Sequence, residues 1–298
     1  MKNVFDVEIC EIKDVFKDKD IEKVIHEMLS PVILYTGIPN KEVKDVIDRC
    51  IFLAKNYKSL SEYEKNAHDI IKSFHIEREI SHKLEKRAQM IYNQIKPHVI
   101  GKSILDLGCG DGMVGEFLRR DRFSVVISDI YKHPNTSKSD LEFKTLHPKK
   151  NIPFDDNSFD TTLVLTVFHH SVNPIKTLTE AHRVTKPGGR VIVIESVYDV
   201  DGKELSENEK NNINNYLSLN KDQQITANIF FDHFYNRIIH YNQDPEMKVS
   251  VPFNFNTPEG WRKLFETNGF KQENVIHLGV DRPLVPEYHT LHILRTEK

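Results

Sequence analysis

Apolar positions in the first hundred residues recur at intervals of three and four. In KEVKDVIDRCIFLAKNY, which follows Asn40, the residues Val43, Val46, Ile47, Cys50, Ile51 and Leu53 share one helical face. A second helical run is expected from Ser61 to Lys96, ending at Pro97 and broken near His75, where the apolar stripe thins. From about residue 101 the pattern changes. SILDLG, SVVISD, FDTTLVLT and RVIVIES are short apolar runs rich in β-branched residues, as strands covered on both faces are. GMVGEFLRR after the first and NPIKTLTEAHRV after the third read as helices. Asn173 and Pro174 form a helix start, a capping side chain followed by a proline in the first turn. Thr257 and Pro258 repeat that signal ahead of EGWRKLFETNGF, which stops at Asn268-Gly269, and KQENVIHLGVD and YHTLHILRTEK read as closing strands.

Buried strands alternating with helices predict an α/β protein with a doubly wound parallel sheet. Three regions emerge: an N-terminal helical region over 1–100, a core over 101–200 and 257–298, and an insert over 201–256. The insert contains QITANIFFDHFYNRIIHY, too aromatic for a structureless loop, and is expected to form a helical cap over a substrate site.

Charge narrows the partners. Lys and Arg number 41 against 44 Asp and Glu, a net charge of −3, so the basic surplus of a nucleic-acid binder is missing. The first residues have no apolar secretory core, and no stretch is long and apolar enough to span a bilayer. Cys10, Cys50 and Cys109 are scattered and odd in number, which suits a reducing compartment and gives no zinc pattern. The expectation is a soluble cytoplasmic protein without a metal site.

The chain has 12 glycines and places Gly108, Gly110, Gly112 and Gly115 together directly behind an apolar run. A strand entering a glycine-rich turn and then a helix lets a ligand touch the backbone at the carboxyl edge of a sheet. Gly110, Gly112 and Gly115 match the dinucleotide pattern GxGxxG, which alone is weak. Asp106 ends the first strand, and Asp129 ends the second, where a ribose would present its hydroxyls.

With DLGCGDG, the acid Asp129, PFDDNSFD and EAHRVTKPGG in that order, the chain resembles the class I S-adenosylmethionine-dependent methyltransferases. It is most similar to the small-molecule branch that includes the ubiquinone and menaquinone C-methyltransferases. The resemblance covers Gly101 to Glu195 by motif. It implies a Rossmann-like sheet and S-adenosyl-L-methionine as cofactor. It also implies that Gly108, Cys109, Gly110 and Gly112 pack under the methionine part, Asp129 holds the ribose with Ile130 beside it, and Thr166 lies by the methionine moiety. Asp106 is placed to help hold the cationic amino group. The acid that many relatives carry before the PF motif is replaced by KTLHPKKNIPF, so backbone around Leu146 and His147 is expected to serve the adenine.

His169 and His170 follow the fourth strand, at the ligand edge, where a histidine could take a proton from an acceptor. Relatives carry a similar pair whatever their substrate, so a loop-shaping role is the alternative. In FFDHFYNRIIH, the residues Phe230, Phe231, Phe234, Tyr235, His233, Arg237 and His240 are read on one helix, as a lid or as the insert's own core. His233 and Tyr235 are its candidate contacts to substrate. Glu180, Arg183, His289 and His292 read as scaffold, and Lys186 to Gly189 as the turn opening the next strand. The expected activity is methyl transfer to C, O or N of a small, partly apolar acceptor, with a homodimer open. The rivals are an RNA or protein methyltransferase, a non-catalytic module on the same fold, and an NAD oxidoreductase.

Overall fold

The computed structural model describes residues 8–74, 79–136, 139–147, 150–243, 248–281 and 285–297. Five helices come first: α1 (Ile9–Val15), α2 (Lys19–Tyr35), α3 (Asn40–Asn56), α4 (Leu60–Lys72) and α5 (Glu79–Ile95). Then come β1 (Ser103–Leu107), α6 (Met113–Arg120), β2 (Ser124–Asp129), β3 (Glu142–Thr145), β4 (Phe159–Leu165), α7 (Pro174–Val184) and β5 (Thr185–Val197). The insert holds α8 (Glu207–Asn212), α9 (Asn214–Ser218), α10 (Lys221–Phe234) and a π-helical turn, Tyr235–Ile239. The chain closes with α11 (Pro258–Thr267), β6 (Phe270–Asp281) and β7 (Val285–Thr296). No helix among the described residues is long and apolar enough to cross a membrane.

Two compact units divide the chain. The first gathers residues 1–82, 196–257 and 278–289; the second gathers 83–195, 258–277 and 290–298. The N-terminal helices and most of the insert share one core. In α2, Ile21, Val24, Ile25, Met28, Leu29, Val32 and Ile33 form a buried stripe at helical spacing. That helix packs on α3 and α10, and α1 also meets α10. Phe16 and Phe230 meet edge to face with ring centroids 5.0 Å apart. Phe230, Phe231 and Phe234, the aromatics expected to wall a pocket, are fully buried and make up this core. They do not all continue on one regular helix with Tyr235. The chain changes to the π turn there, and His240 N–H reaches Tyr235 O at 3.1 Å, five residues back. An Asn220–Gln223 capping box starts α10, and Gln223 Nε2 also donates to Asp18 Oδ2 at 2.8 Å.

The second unit is built on a mixed seven-stranded sheet in the order β3-β2-β1-β4-β5-β7-β6. β1 pairs in parallel with β2 and β4, β2 with β3, and β4 with β5. The order reverses between β1 and β4, which is where an open α/β sheet offers a crevice at the carboxyl ends of its strands. Strand centres Ile104, Leu105, Ile127, Leu163, Val164, Val191, Ile192 and Val193 are buried, as the continuous apolar runs require. Phe168, Trp261 and Phe265 pack as a trio with centroids 5.9 Å apart.

Three details differ from expectation. The strand β3 has no apolar run to announce it. Lys186 to Gly189 lie within β5, as an irregularity that lets Phe159 pair Thr185 and Thr161 pair Arg190. Asn40 is the first residue of α3, and Pro39 is its cap. The break expected near His75 falls on residues 75–78, outside the described residues; α4 ends at Lys72 and α5 begins at Glu79.

Candidate functional site

The glycine loop leaves β1 in left-handed backbone. Gly108, Gly110 and Gly112 have φ of 80°, 53° and 77°, a region that side chains branched at Cβ rarely enter. Gly108 and Cys109 both donate backbone N–H to Ser128 O, at 2.8 and 3.0 Å, which ties the loop to β2. Each glycine answers a different need. A Cβ at Gly108 would meet Val167 Cγ2 at 2.5 Å, and one at Gly115 would meet Ile127 Cγ2 at 2.7 Å, so both permit close packing. A Cβ at Gly110 would meet nothing within 4 Å. There the protein leaves room beside its own backbone.

Three carboxylates surround this loop. Asp106 is 1% exposed, and its Oδ1 has no hydrogen-bond partner among the described residues. Burial, then the charges of Asp129 and Asp111, push its pKa up to about 7. Asp129 Oδ2 accepts from Gly110 N at 2.9 Å and Oδ1 from Tyr131 N at 3.4 Å. Burial also holds its pKa above the usual carboxylate value, against the lowering effect of those bonds. Asp111 Oδ1 accepts from Met113 N at 3.1 Å at the start of α6. Burial, joined by the neighbouring carboxylates, raises the Cys109 thiol as well, so it stays neutral.

Such a cluster fits a cationic ligand. An orphaned carboxylate oxygen needs a donor, crowded negative charge needs a counter-charge, and Gly110 opens on free volume. S-adenosylmethionine carries a sulfonium, an ammonium and a ribose diol, and the donor set agrees with it. Ile130 is 53% exposed beside Asp129, an apolar surface suited to a flat ring. Leu146 N–H donates to Asp129 O at 2.8 Å, and His147 O accepts from Lys150 N at 2.9 Å. Within the stretch expected at the adenine, residues 148–149 lie outside the described residues.

The loop after β4 faces the same edge. Thr166 is held at φ 58° by N–H to Ile194 O at 2.7 Å, an uncommon backbone for a β-branched residue. Glu195, fully buried within β5, organises the three residues after Thr166. Its Oε1 accepts from Val167 N at 2.9 Å and Phe168 N at 2.6 Å, and its Oε2 lies 2.6 Å from His169 Nδ1. With the carboxylate accepting on both oxygens, Nδ1 is the donor and the ring orientation is fixed. His170 packs on His169 with centroids 4.0 Å apart. Sequence reasoning gave Glu195 no role; its signal was an acid within the apolar run RVIVIES.

Glu180 and Arg183 are scaffold, as expected. Arg183 makes a two-pronged pair with Glu180, 2.9 Å on each prong, and donates to Phe154 O and Ile152 O at 2.8 and 3.1 Å. That clamp shapes the turn before β4. His292 sits between Thr290 and Gln272, at 2.9 and 2.8 Å, and burial lowers its pKa to about 3. His289 lies 2.9 Å from Ser196 Oγ.

The two candidates from the insert belong to the first unit. Tyr235, half-buried on the π turn, stacks on Phe231 at 5.9 Å and meets His240 edge-on at 4.8 Å. His233 is completely buried, 3.7 Å from Glu64 Oε1, and its pKa is pushed down to about 3 by burial and then by Arg237 and Lys248. A ring held neutral in this way carries no second ring proton to donate as an acid at neutral pH.

Comparison with known proteins fits this geometry. The family profile described as "Methyltransferase domain" matches residues 105–193. A demethylmenaquinone methyltransferase of Paenarthrobacter aurescens is 34% identical over 105 residues, 34% of this chain and 41% of that protein. A tRNA U34 carboxymethyltransferase of Nautilia profundicola is 31% identical over 175 residues, 53% of this chain and 56% of that protein. The chain thus spans about half the length of these curated relatives or less. Among solved structures, a Burkholderia thailandensis 1,6-didemethyltoxoflavin-N1-methyltransferase with bound 1,6-didemethyltoxoflavin and S-adenosylhomocysteine aligns with a TM-score of 0.49. It is 15% identical, over 81% of this chain and 92% of that one.

Proposed function

Starting from a chain whose residues 105–193 form a class I S-adenosylmethionine-dependent methyltransferase domain, we propose that the protein methylates a small organic acceptor. The observation that carries this reading is Asp106, a buried acid with an unpartnered oxygen at the mouth of a glycine loop with open space beside it. Bound there, S-adenosylmethionine supplies an electrophilic methyl group on a positively charged sulfur. Asp106 holds the cationic end, Asp129 accepts from the ribose hydroxyls, and the backbone of Gly108 to Gly112 sets the distance. Catalysis by such a site is mostly alignment and exclusion of water. The His169–His170 pair, oriented by Glu195, receives the acceptor's proton where the acceptor does not ionise unaided.

We assign acceptor recognition to the first unit. All of its segments lie outside the residues matched by the methyltransferase profile, as a part serving one particular substrate would. A small acceptor is supported by the likeness to quinone-pathway methyltransferases and by the net charge of −3. The likeness to a tRNA-modifying protein supports a second reading, an RNA acceptor. Three free cysteines suit the cytoplasm.

Incubation with methyl-labelled cofactor and a cell extract, split into small-molecule and RNA fractions, separates the readings. Label in small molecules supports the proposal, label in RNA selects the second reading, and no label in either overturns both. His170→Ala should lower turnover roughly 10²–10⁴-fold if that ring accepts the proton, with cofactor affinity unchanged. Asp129→Ala removes a charged acceptor, and hydrogen bonds to charged groups contribute about 1.5–3 kcal/mol. Calorimetry should show cofactor affinity lowered about tenfold to a hundredfold, with the melting temperature of the free protein nearly unchanged.

A further inference from the structure

The chain that leaves β2 wraps around the glycine loop and is pinned to it twice. It starts at Asp129, whose Oδ2 accepts from Gly110 N at 2.9 Å. It returns at Thr136, which is buried against the third glycine: a Cβ at Gly112 would lie 3.1 Å from Thr136 Cγ2. Between these anchors His133 makes a tight turn. Its carbonyl accepts from Thr136 N at 3.0 Å and from Thr136 Oγ1 at 2.6 Å, and its Nδ1 accepts from Asn135 N at 3.1 Å. A segment held at Gly110 and at Gly112 runs beside Asp111, the residue between them, and the electrostatics agree. Burial raises the pKa values of Asp111 and Asp129, backbone N–H donors oppose the rise, and the charge of the half-buried His133 ring opposes it further on both. Arg87, on α5, acts on Asp111 in the same sense.

The turn also fixes the tautomer of this histidine. A backbone N–H can only donate, so Nδ1 is the nitrogen with the lone pair, and the proton of the neutral ring sits on Nε2. His133 therefore brings an N–H donor to a place crowded with carboxylates. A ribose diol needs both kinds of partner. Each hydroxyl gives one proton and keeps lone pairs on its oxygen. A carboxylate such as Asp129 only accepts, so it takes the protons and leaves the oxygens without a donor. The ring that follows Asp129 in the same segment supplies one.

We propose that His133 is a second ribose-binding residue, its Nε2–H donating to a hydroxyl oxygen of the diol whose protons Asp129 accepts. The assignment rests on the cofactor reading given above. It pairs a donor with the acceptor that Asp129 provides, from a residue to which the sequence motifs gave no role.

The test uses the whole protein and S-adenosylhomocysteine, in the parent and in His133→Asn. Asparagine keeps the turn, because its Oδ1 accepts from the backbone N–H two residues on, and it has no group where Nε2 stands. The histidine rings are labelled with ¹⁵N, the His133 signals being identified by their loss in the variant. The expected result in the parent is a saturable movement of the His133 Nε2 signal. In His133→Asn, calorimetry should show affinity lowered roughly twofold to tenfold, the effect of one hydrogen bond between neutral groups. The free variant should melt as the parent does. The proposal is overturned if the ligand leaves the Nε2 signal in place or if His133→Asn binds as tightly as the parent. It is equally overturned if the variant's melting temperature falls together with its affinity, which would make His133 a turn former alone. A parent that binds no S-adenosylhomocysteine overturns the cofactor reading itself, so the two failures are told apart.

Discussion

Gly110→Val should abolish S-adenosylmethionine binding within the accessible concentration range, with an affinity loss of at least about 100-fold, or roughly 2.7 kcal/mol. Two effects act together. The branched side chain occupies space that the protein itself leaves empty, since a Cβ at this position meets nothing within 4 Å. It must also be held at φ 53°, and left-handed backbone costs an ordinary residue roughly 1–2 kcal/mol. Gly115→Ala supplies the contrast from the same motif. Its new Cβ lies 2.7 Å from Ile127 Cγ2 and 3.3 Å from Leu141 Cδ1, in packed protein. Overpacking of that kind costs about 1–3 kcal/mol of stability and should leave cofactor affinity nearly intact. Both variants should therefore melt lower than the parent, and calorimetry should separate them, with binding lost in Gly110→Val and kept in Gly115→Ala. If both lose stability and neither loses binding, the loop is a packing motif.

Asp106→Asn should separate stability from binding in the opposite sense. The folded-state pKa of Asp106, about 7, stands above its ordinary value of 3.8. Between these values the unfolded chain has released a proton that the folded chain keeps, so this group makes the cofactor-free protein less stable as pH rises from about 4 to about 7. At 1.36 kcal/mol per pKa unit, the full penalty is on the order of 4 kcal/mol above pH 7. Removing the charge relieves it. The free variant should melt several degrees higher than the parent at pH 8 and no higher at pH 4. Cofactor affinity should fall by at least about tenfold, because a charge-assisted partner of the cation is lost. For the parent, affinity should climb with pH through about 7, as binding a cation favours the ionised acid. A parent whose affinity and melting temperature ignore pH between 5 and 8 would place Asp106 outside the site.

How far each feature could be read from the sequence depends on the range of the interaction behind it. The glycines and acids of DLGCGDG and Asp129 were readable because a ligand approaching backbone demands particular residue types at fixed local offsets. Helix starts at Asn173-Pro174 and before Pro258 were readable for the same local reason. The strand β3 was not, since its four residues, EFKT, carry little apolar signal. Lys186 to Gly189 looked like a turn because Pro and Gly punctuate, although the irregularity keeps this stretch within the strand. The surroundings of His233 were hidden because a histidine shows neither its burial nor its charged neighbours in local sequence. Glu64 and Lys248, which surround it, are 184 residues apart. For the same reason, nothing local revealed that α10 and the N-terminal helices build one core.

The central claim is that this glycine loop and its three carboxylates hold S-adenosylmethionine, and one pair of calorimetric titrations tests it most directly. S-adenosylmethionine and NADH are each added to the 298-residue chain at pH 8, above the pKa of Asp106 of about 7. The account predicts binding of S-adenosylmethionine with Kd on the order of 1 µM, about −8 kcal/mol, and no binding heat from NADH. Saturable binding of NADH with none of S-adenosylmethionine would contradict it.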